Sequence, residues 1–353
     1  MTLQFGYWLP VFGGWLRNVE DEEMPATWQY VRDLAVESER IGFDLTLIAE
    51  LNLNDIKGPE APALDAWSTA AALASVTERL ELMVAVRPTF HHPALFAKQA
   101  ANIDRISGGR LALNVVSSWW KDESTQHGLP FDEHDRRYER TQEWLDVVKG
   151  MWTKPRFSHN GPLYSLEGAI LEPKPVRSPW PTIYAGGESE AAKNLIARDC
   201  DAYVMHGDPP ERIAEKVADM RERRRRLAPA APPLVFGVSG FVVCRPTHEA
   251  ALREVARITD VRASARGYSN YEQWLSGTRL EQRVSLEDYS VSNRGLRARL
   301  VGTPDEIAEQ LDAFERTGVS LTLLQFSPQA EEMARFAQDV IPLCRPTRGE
   351  VVA

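Results

Sequence analysis

Residues 93–116, PALFAKQAANIDRISGGRLALNVV, decide the fold. Apolar side chains recur at helical spacing over 93–106. Gly108-Gly109 then breaks the chain, and 110–116 (RLALNVV) is a short, nearly continuous apolar strand. The same helix, Gly-containing turn and strand recur on either side. Upstream, a helix over 65–77 precedes strand 80–86 (LELMVAV). Before that, helix 27–41 sets Trp28, Val31, Leu34, Ala35 and Ile41 on one face, and Gly42 stands where a left-handed cap is wanted, ahead of strand 45–49. Near the other end, helix 304–317, Gly318 and strand 319–325 repeat the unit. Further strands are expected at 3–9, 182–185, 201–205 and 234–243. Buried apolar strands alternating with helices require a parallel sheet covered on both faces. Eight such units favour closure, so the expected fold class is α/β, a (β/α)8 TIM barrel forming a single domain over 1–353.

Two stretches interrupt the rhythm. Residues 117–180 hold a polar loop, a helix near 134–152 and a segment rich in Pro, Gly and aromatics that suits a hairpin. Residues 262–300 are polar, rich in Ser and Arg, and weakly periodic. Long insertions of this kind in a compact domain tend to be functional loops or lids.

Composition narrows the function classes. The chain has 353 residues, 43% hydrophobic and 26% charged, with a net charge of −9. That excludes a mainly disordered chain and argues against nucleic acid as the main partner, because a phosphate backbone rewards a basic face. The basic run at 221–226 reads as a helix C-terminus that complements the helix dipole. No stretch approaches the ~20 apolar residues of a membrane span, and the N-terminus lacks the features of a secretory signal. Cys200, Cys244 and Cys344 are odd in number and far apart, so a disulfide framework is not expected and a cytoplasmic location is.

In a parallel barrel, the residues just after each strand gather at one face, where chemistry sits. Here they are Trp8, Phe12, Gly13, Gly14 and Trp15; Glu50, Asn52, Asn54 and Asp55; Arg87, Phe90, His91 and His92; Asn114, Ser117, Ser118, Trp119, Trp120 and Glu123; Gly186-Gly187-Glu188-Ser189; and His206-Gly207-Asp208. No nucleophile-elbow, zinc-protease or dinucleotide motif is present. His91-His92 lacks an evident third ligand, so no metal is expected. Neither Ser117 nor Ser118 has a base placed beside it. A mouth rich in Trp and amides suits a flat aromatic ligand. Gly186-Gly187-Glu188-Ser189 fits two readings, an ordinary strand-to-helix turn or a phosphate cradle at a helix N-terminus. Arg137-Tyr138 likewise fits either an exposed helix face or a phosphate clamp.

The segments LTLIAELNLNDIK (45–57), VAVRPTFHHPALFAKQAANID (84–104), NVVSSWWKDE (114–123), 135–138 and 184–189 together resemble the bacterial luciferase-like flavin monooxygenases. Within that family the likeness is greatest to the FMNH2-dependent enzymes acting on dimethylsulfone. It runs through 300–303 to the closing 336–343. The resemblance implies a luciferase-like barrel that uses reduced FMN (FMNH2) and O2, with a separate NAD(P)H-dependent FMN reductase supplying the flavin. It implies cleavage of a C–S bond to give methanesulfinate and formaldehyde, and a homodimer or homotetramer. Flavin contacts of relatives match Ala49, Asn114, Glu123, Arg137, Tyr138 and Ser189, and so favour the phosphate reading, with Gly186 and Gly187 as the cradle. The candidate catalytic groups are Glu50, expected near the flavin ring, and His91 and His206 as proton handlers, because imidazole titrates near neutrality. Trp8, Phe90 and Trp119 would wall the substrate pocket.

Departures from alkanesulfonate relatives fall at Ser239 and Phe241, where those carry Arg and His, and at Ser327, His206 and Ala63. Losing a cationic pair favours a small neutral sulfone over an anion. Arg87 and Arg294 keep positive charge in play, so alkanesulfonates, pyrimidines and other sulfones stay open as substrates. A deazaflavin dehydrogenase and a non-catalytic flavin-binding protein are the alternatives in kind.

Overall fold

The structure, a computed structural model, describes residues 3–117, 119–260, 268, 271, 272, 275 and 284–345. Ser118 and, within the expected insertion at 262–300, most of 262–283 lie outside these residues. The strands in chain order are β1 (Gln4–Trp8), β2 (Leu45–Ile48), β3 (Glu81–Val86), β4 (Leu111–Val115), β5 (Phe157–Asn160), β6 (Ser165–Ala169), β7 (Thr182–Ala185), β8 (Ala202–Met205), β9 (Val235–Phe241), β10 (Val243–Cys244), β11 (Val301–Gly302) and β12 (Leu321–Gln325). A closed parallel barrel runs β1-β12-β9-β8-β7-β4-β3-β2 and back to β1. β4 pairs directly with β7, so the excursion between them leaves the barrel and returns without inserting a strand.

The expected elements appear with ends shifted by a residue or two. Helix Trp28–Ile41 is capped at its start by the Thr27 hydroxyl, which accepts from Tyr30 N. Gly42 ends it at φ 104°, a conformation that costs a residue with a Cβ and costs glycine little. Its buried face is Val31, Leu34, Ala35 and Ser38, while Trp28 and Ile41 are only partly covered. The Ser38 hydroxyl is held by Tyr7 on β1 (2.9 Å), which explains a polar residue on the inner face. The basic run also ends a helix, Pro210–Leu227. Arg224 is buried and donates to the carbonyls of Ala197, Cys200 and Pro232.

The excursion after β4 contains helix His134–Thr153 and the antiparallel hairpin β5–β6. Trp144 and Trp152 pin this helix to helix Pro93–Ile106 by donating their indole N–H groups to the carbonyls of His91 and Ala97, both at 2.9 Å. That docking sets the first turns of His134–Thr153 beside the barrel mouth. Asp104, fully buried, holds the returning chain: one carboxylate oxygen accepts from Val176 N (2.6 Å) and Arg177 N (3.0 Å). Among the described residues, no helix is long and apolar enough to cross a membrane.

Asp104→Ala removes a charged acceptor from two buried-side amides, and the expected loss is about 2–3 kcal/mol. Urea unfolding of the purified variant measures it; an unchanged midpoint would show that the insertion is held by other contacts.

Candidate active site

The C-terminal ends of the barrel strands surround a cavity of about 320 Å³, a size typical of small-molecule sites. Trp8, Ala49, Glu50, Asn114, Trp119, Arg137, Tyr138, Gly186, Gly187, Ser189, His206, Ser239 and Arg294, all expected from sequence, line it together. The Trp8 indole N–H is buried and has no acceptor among the described residues.

One corner is suited to an anion. Ser189 is the N-cap of helix Glu190–Asp199, its hydroxyl accepting from Ala192 N at 3.2 Å. The two readings of this loop therefore coincide, since the capping residue also faces the cavity. Gly187 has φ 149°, and a Cβ there would fall 2.6 Å from the Ala192 Cβ and 3.6 Å from the Tyr138 hydroxyl. A side chain would jam the loop against Ala192. Tyr203 fixes the loop from behind, donating to the Gly187 carbonyl at 2.9 Å. Arg137 and Tyr138, from the opening turns of His134–Thr153, close the corner. A helix N-terminus, a guanidinium and two hydroxyls lining one cavity are groups that can hold a phosphate.

At the β2 and β3 ends, Glu50 is fixed at both oxygens. Oε2 accepts from Arg87 N at 2.7 Å, and Oε1 lies 2.5 Å from His91 Nε2. The buried Arg87 guanidinium forms an ion pair with Glu123, and its Nε stands 3.5 Å from Glu50. Glu123 also accepts from Asn52 N at 2.5 Å.

Four expected site residues are thereby placed outside the cavity wall. Glu123 has no exposed surface, and its carboxylate is engaged by Arg87 and Asn52. His91 stands behind Glu50 against the rings of Trp67 and Phe96. Phe90 lies under the Arg87 guanidinium at 4.0 Å. Phe241 is buried against Gly295, where a Cβ would come within 2.7 Å of it. Each was expected from its position in the chain, which does not tell the first layer of the mouth from the layer behind it.

The far wall comes from 284–300 and was not resolved residue by residue in the sequence. Tyr289, Ser292 and Asn293 line the cavity, as do Arg17 and His134. The segment is laced to the loop after β1: Arg17 N donates to Ser290 O (3.0 Å) and Ser292 N to Trp15 O (3.1 Å). The Arg17 guanidinium sits 3.9 Å over the Tyr289 ring and pairs with Asp55 at 2.6 Å. A local signal existed in Ser285, whose hydroxyl caps the short helix Leu286–Ser290, but with no periodic run behind it nothing indicated which way the segment faced. Asn293 and Arg294 both adopt left-handed φ (56° and 55°), a strained pair for non-glycine residues. That turn delivers the buried Arg294 to Glu188, 2.5 Å away. Burial would raise the Glu188 pKa, but the Arg294 and Lys216 charges hold it far below the ordinary carboxylate range. His206 is pushed down to about 3 by desolvation and by the Arg294 charge, against the opposing pull of Glu188.

His206 is therefore neutral in the folded protein wherever an ordinary imidazole would begin to protonate. Below its ordinary value of 6.5, the unfolded chain takes up a proton that the folded one refuses, so stability falls as pH drops. Relative to His206→Asn, the parent is expected to lose up to about 1.4 kcal/mol per pH unit below that value. Urea unfolding at pH 7.5, 6.5 and 5.0 compares the two slopes; identical slopes would mean that His206 protonates freely. Arg87→Ala leaves Glu123 buried without its counter-ion, with an expected cost of about 3–5 kcal/mol. Thermal unfolding checks this, and a change below about 1 kcal/mol would contradict the pairing's role.

Comparison with known proteins agrees with this architecture. A model of the luciferase-like monooxygenases matches residues 3–321. A protein of Pseudomonas putida named FMNH(2)-dependent dimethylsulfone monooxygenase is 35% identical over 358 residues, covering 99% of this chain and 97% of its own. Another of that name, from Pseudomonas fluorescens (strain Pf0-1), is 33% identical over 363 residues, covering 98% and 95%. The crystal structure of a long-chain alkane monooxygenase superposes with a TM-score of 0.80 at 19% identity, covering 97% of this chain and 91% of that one, a likeness of fold. With the family model and the Pseudomonas relatives both spanning most of its length, the chain belongs to the luciferase-like monooxygenases.

Proposed function

We propose that this protein is an FMNH2-dependent monooxygenase that cleaves dimethylsulfone to methanesulfinate and formaldehyde. The observation that carries the reading is one cavity with two unlike ends: a phosphate-binding corner at Ser189, Arg137 and Tyr138, and an aromatic interior under Trp8 and Trp119. The names of the Pseudomonas relatives support it.

The residues present fit reduced FMN. The corner matches a nucleotide phosphate in charge and donors, and the apolar wall suits a planar ring system. The buried Trp8 N–H without an acceptor offers a donor to a ring heteroatom or to the substrate. When bound, reduced FMN supplies the two electrons that activate O2. The overall reaction balances: dimethylsulfone, O2 and FMNH2 give methanesulfinic acid, formaldehyde, water and FMN.

The protein's contribution is placement and exclusion of water. Ser189, Arg137, Tyr138 and the helix N-terminus hold the phosphate. Trp8, Trp119 and Asn114 bound the space beside it. Glu50, fixed by Arg87 N and His91, presents an oriented carboxylate that cannot swing away. Neutral His206 serves as a hydrogen-bond partner and brings no charge. His91 acts through Glu50, as a positioning residue. Because the flavin binds as a diffusible cosubstrate in this reading, an NAD(P)H-dependent FMN reductase is the implied partner.

Incubation with a flavin reductase, NADH, FMN and dimethylsulfone under air is expected to release formaldehyde. Release of sulfite from methanesulfonate without formaldehyde from dimethylsulfone, or turnover that needs no O2, would contradict the reading. Ser189→Ala and Arg137→Ala are each expected to weaken reduced-FMN binding about tenfold, the loss of one charge-assisted phosphate contact. Anaerobic fluorescence titration measures this, and unchanged affinity in both would overturn the phosphate assignment.

A further inference from the structure

The sequence left one question open: Arg87 and Arg294 could present positive charge to a substrate. In the structure both face the cavity, and both are already matched. Arg87 is paired with Glu123, and Arg294 with Glu188 at 2.5 Å. Arg17, also at the wall, is paired with Asp55 at 2.6 Å.

The Arg294 pair belongs to a larger set. Lys216, buried, bridges Glu188 (3.1 Å) and Asp208 (2.6 Å). Arg297 lies between Asp208 (3.8 Å) and Asp288 (2.7 Å). Arg294, Lys216 and Arg297 thus face Glu188, Asp208 and Asp288, and the formal charges cancel. Removing the Glu188 charge leaves Lys216 its Asp208 partner, so the uncompensated charge falls on Arg294. A buried guanidinium without a counter-ion draws in an anion.

We infer that Glu188 is a specificity-determining residue: by occupying Arg294 it keeps that guanidinium from pairing with an anionic substrate, so that a neutral sulfone enters and an anionic sulfonate does not. The inference deepens the proposed function and rests on it for the identity of the neutral substrate. It also gives the product a reason to leave. Methanesulfinate is an anion, and Arg17, Arg87 and Arg294, each already paired, offer it no partner.

The test is direct binding of sodium methanesulfonate by calorimetry at fixed ionic strength, with no flavin and no turnover. The parent is expected to bind weakly. Glu188→Gln, which keeps the side-chain shape and a hydrogen-bond acceptor, is expected to bind at least tenfold more tightly. Glu188→Gln combined with Arg294→Gln is expected to return to parental affinity. Glu188→Gln binding no tighter than the parent would overturn the proposal, as would a double variant that keeps the gain. If Glu188→Gln does not fold in buffer, methanesulfonate is expected to restore its folded circular-dichroism signal by supplying the missing counter-ion, and failure to do so would overturn the proposal. In turnover assays, Glu188→Gln is further expected to show methanesulfinate inhibition at tenfold lower concentration than the parent. Absence of formaldehyde release by the parent would strike the substrate reading alone, because the binding experiment involves no dimethylsulfone.

Discussion

Charges drawn into the mouth of a barrel must be matched there, and that constraint shapes this site. The wall contains arginines from four separate stretches of chain, Arg17, Arg87, Arg137 and Arg294. An unmatched buried ion costs several kcal/mol. Asp55, Glu123 and Glu188 meet three of these arginines at close range, and each pair also ties two stretches together. Arg17–Asp55 joins the loops after β1 and β2. Arg87–Glu123 joins β3 to the excursion after β4. Glu188–Arg294 joins the loop after β7 to the segment that covers the mouth. The same contacts hold the rim in shape.

This division of labour separates the cavity into regions with different tasks. The Ser189 corner combines a helix dipole with hydroxyls and a guanidinium, and suits a phosphate. The Trp8 and Trp119 walls suit flat apolar surface. The Glu188 side is electrically quiet despite its density of ions. Strain at Asn293 and Arg294 fits the same account: an unfavourable backbone turn is held where an ion pair over-determines it, as is common at functional sites.

The sequence made the scaffold legible because periodicity and turn chemistry both act locally. Gly42 and Gly318 mark helix ends at left-handed φ, and the apolar runs at 81–86 and 111–115 carry their burial in their composition. The loop at Gly186-Gly187 and Ser189 was legible as a local loop-and-cap signal, but that signal alone fitted an ordinary turn as well as a phosphate cradle. Depth was not legible. His91 and Glu123 sit at strand ends like their neighbours, yet they face Glu50 and Arg87 and not the cavity. Nothing within ten residues of Glu123 announces that Arg87 will reach it. The far wall was harder still, because 284–300 is stabilised by contacts with Trp15, Arg17 and Glu188, which lie more than a hundred residues away in sequence.

The central claim is that this rim holds a flavin by its phosphate. Anaerobic titration with reduced FMN and, separately, with reduced riboflavin, which has the same ring system but no phosphate, tests it most directly. The account predicts that FMN binds at least about tenfold more tightly, the contribution of roughly one charge-assisted contact or more. Equal affinity for the two would mean that the Ser189 corner does not bind the phosphate, and would contradict the account at its base.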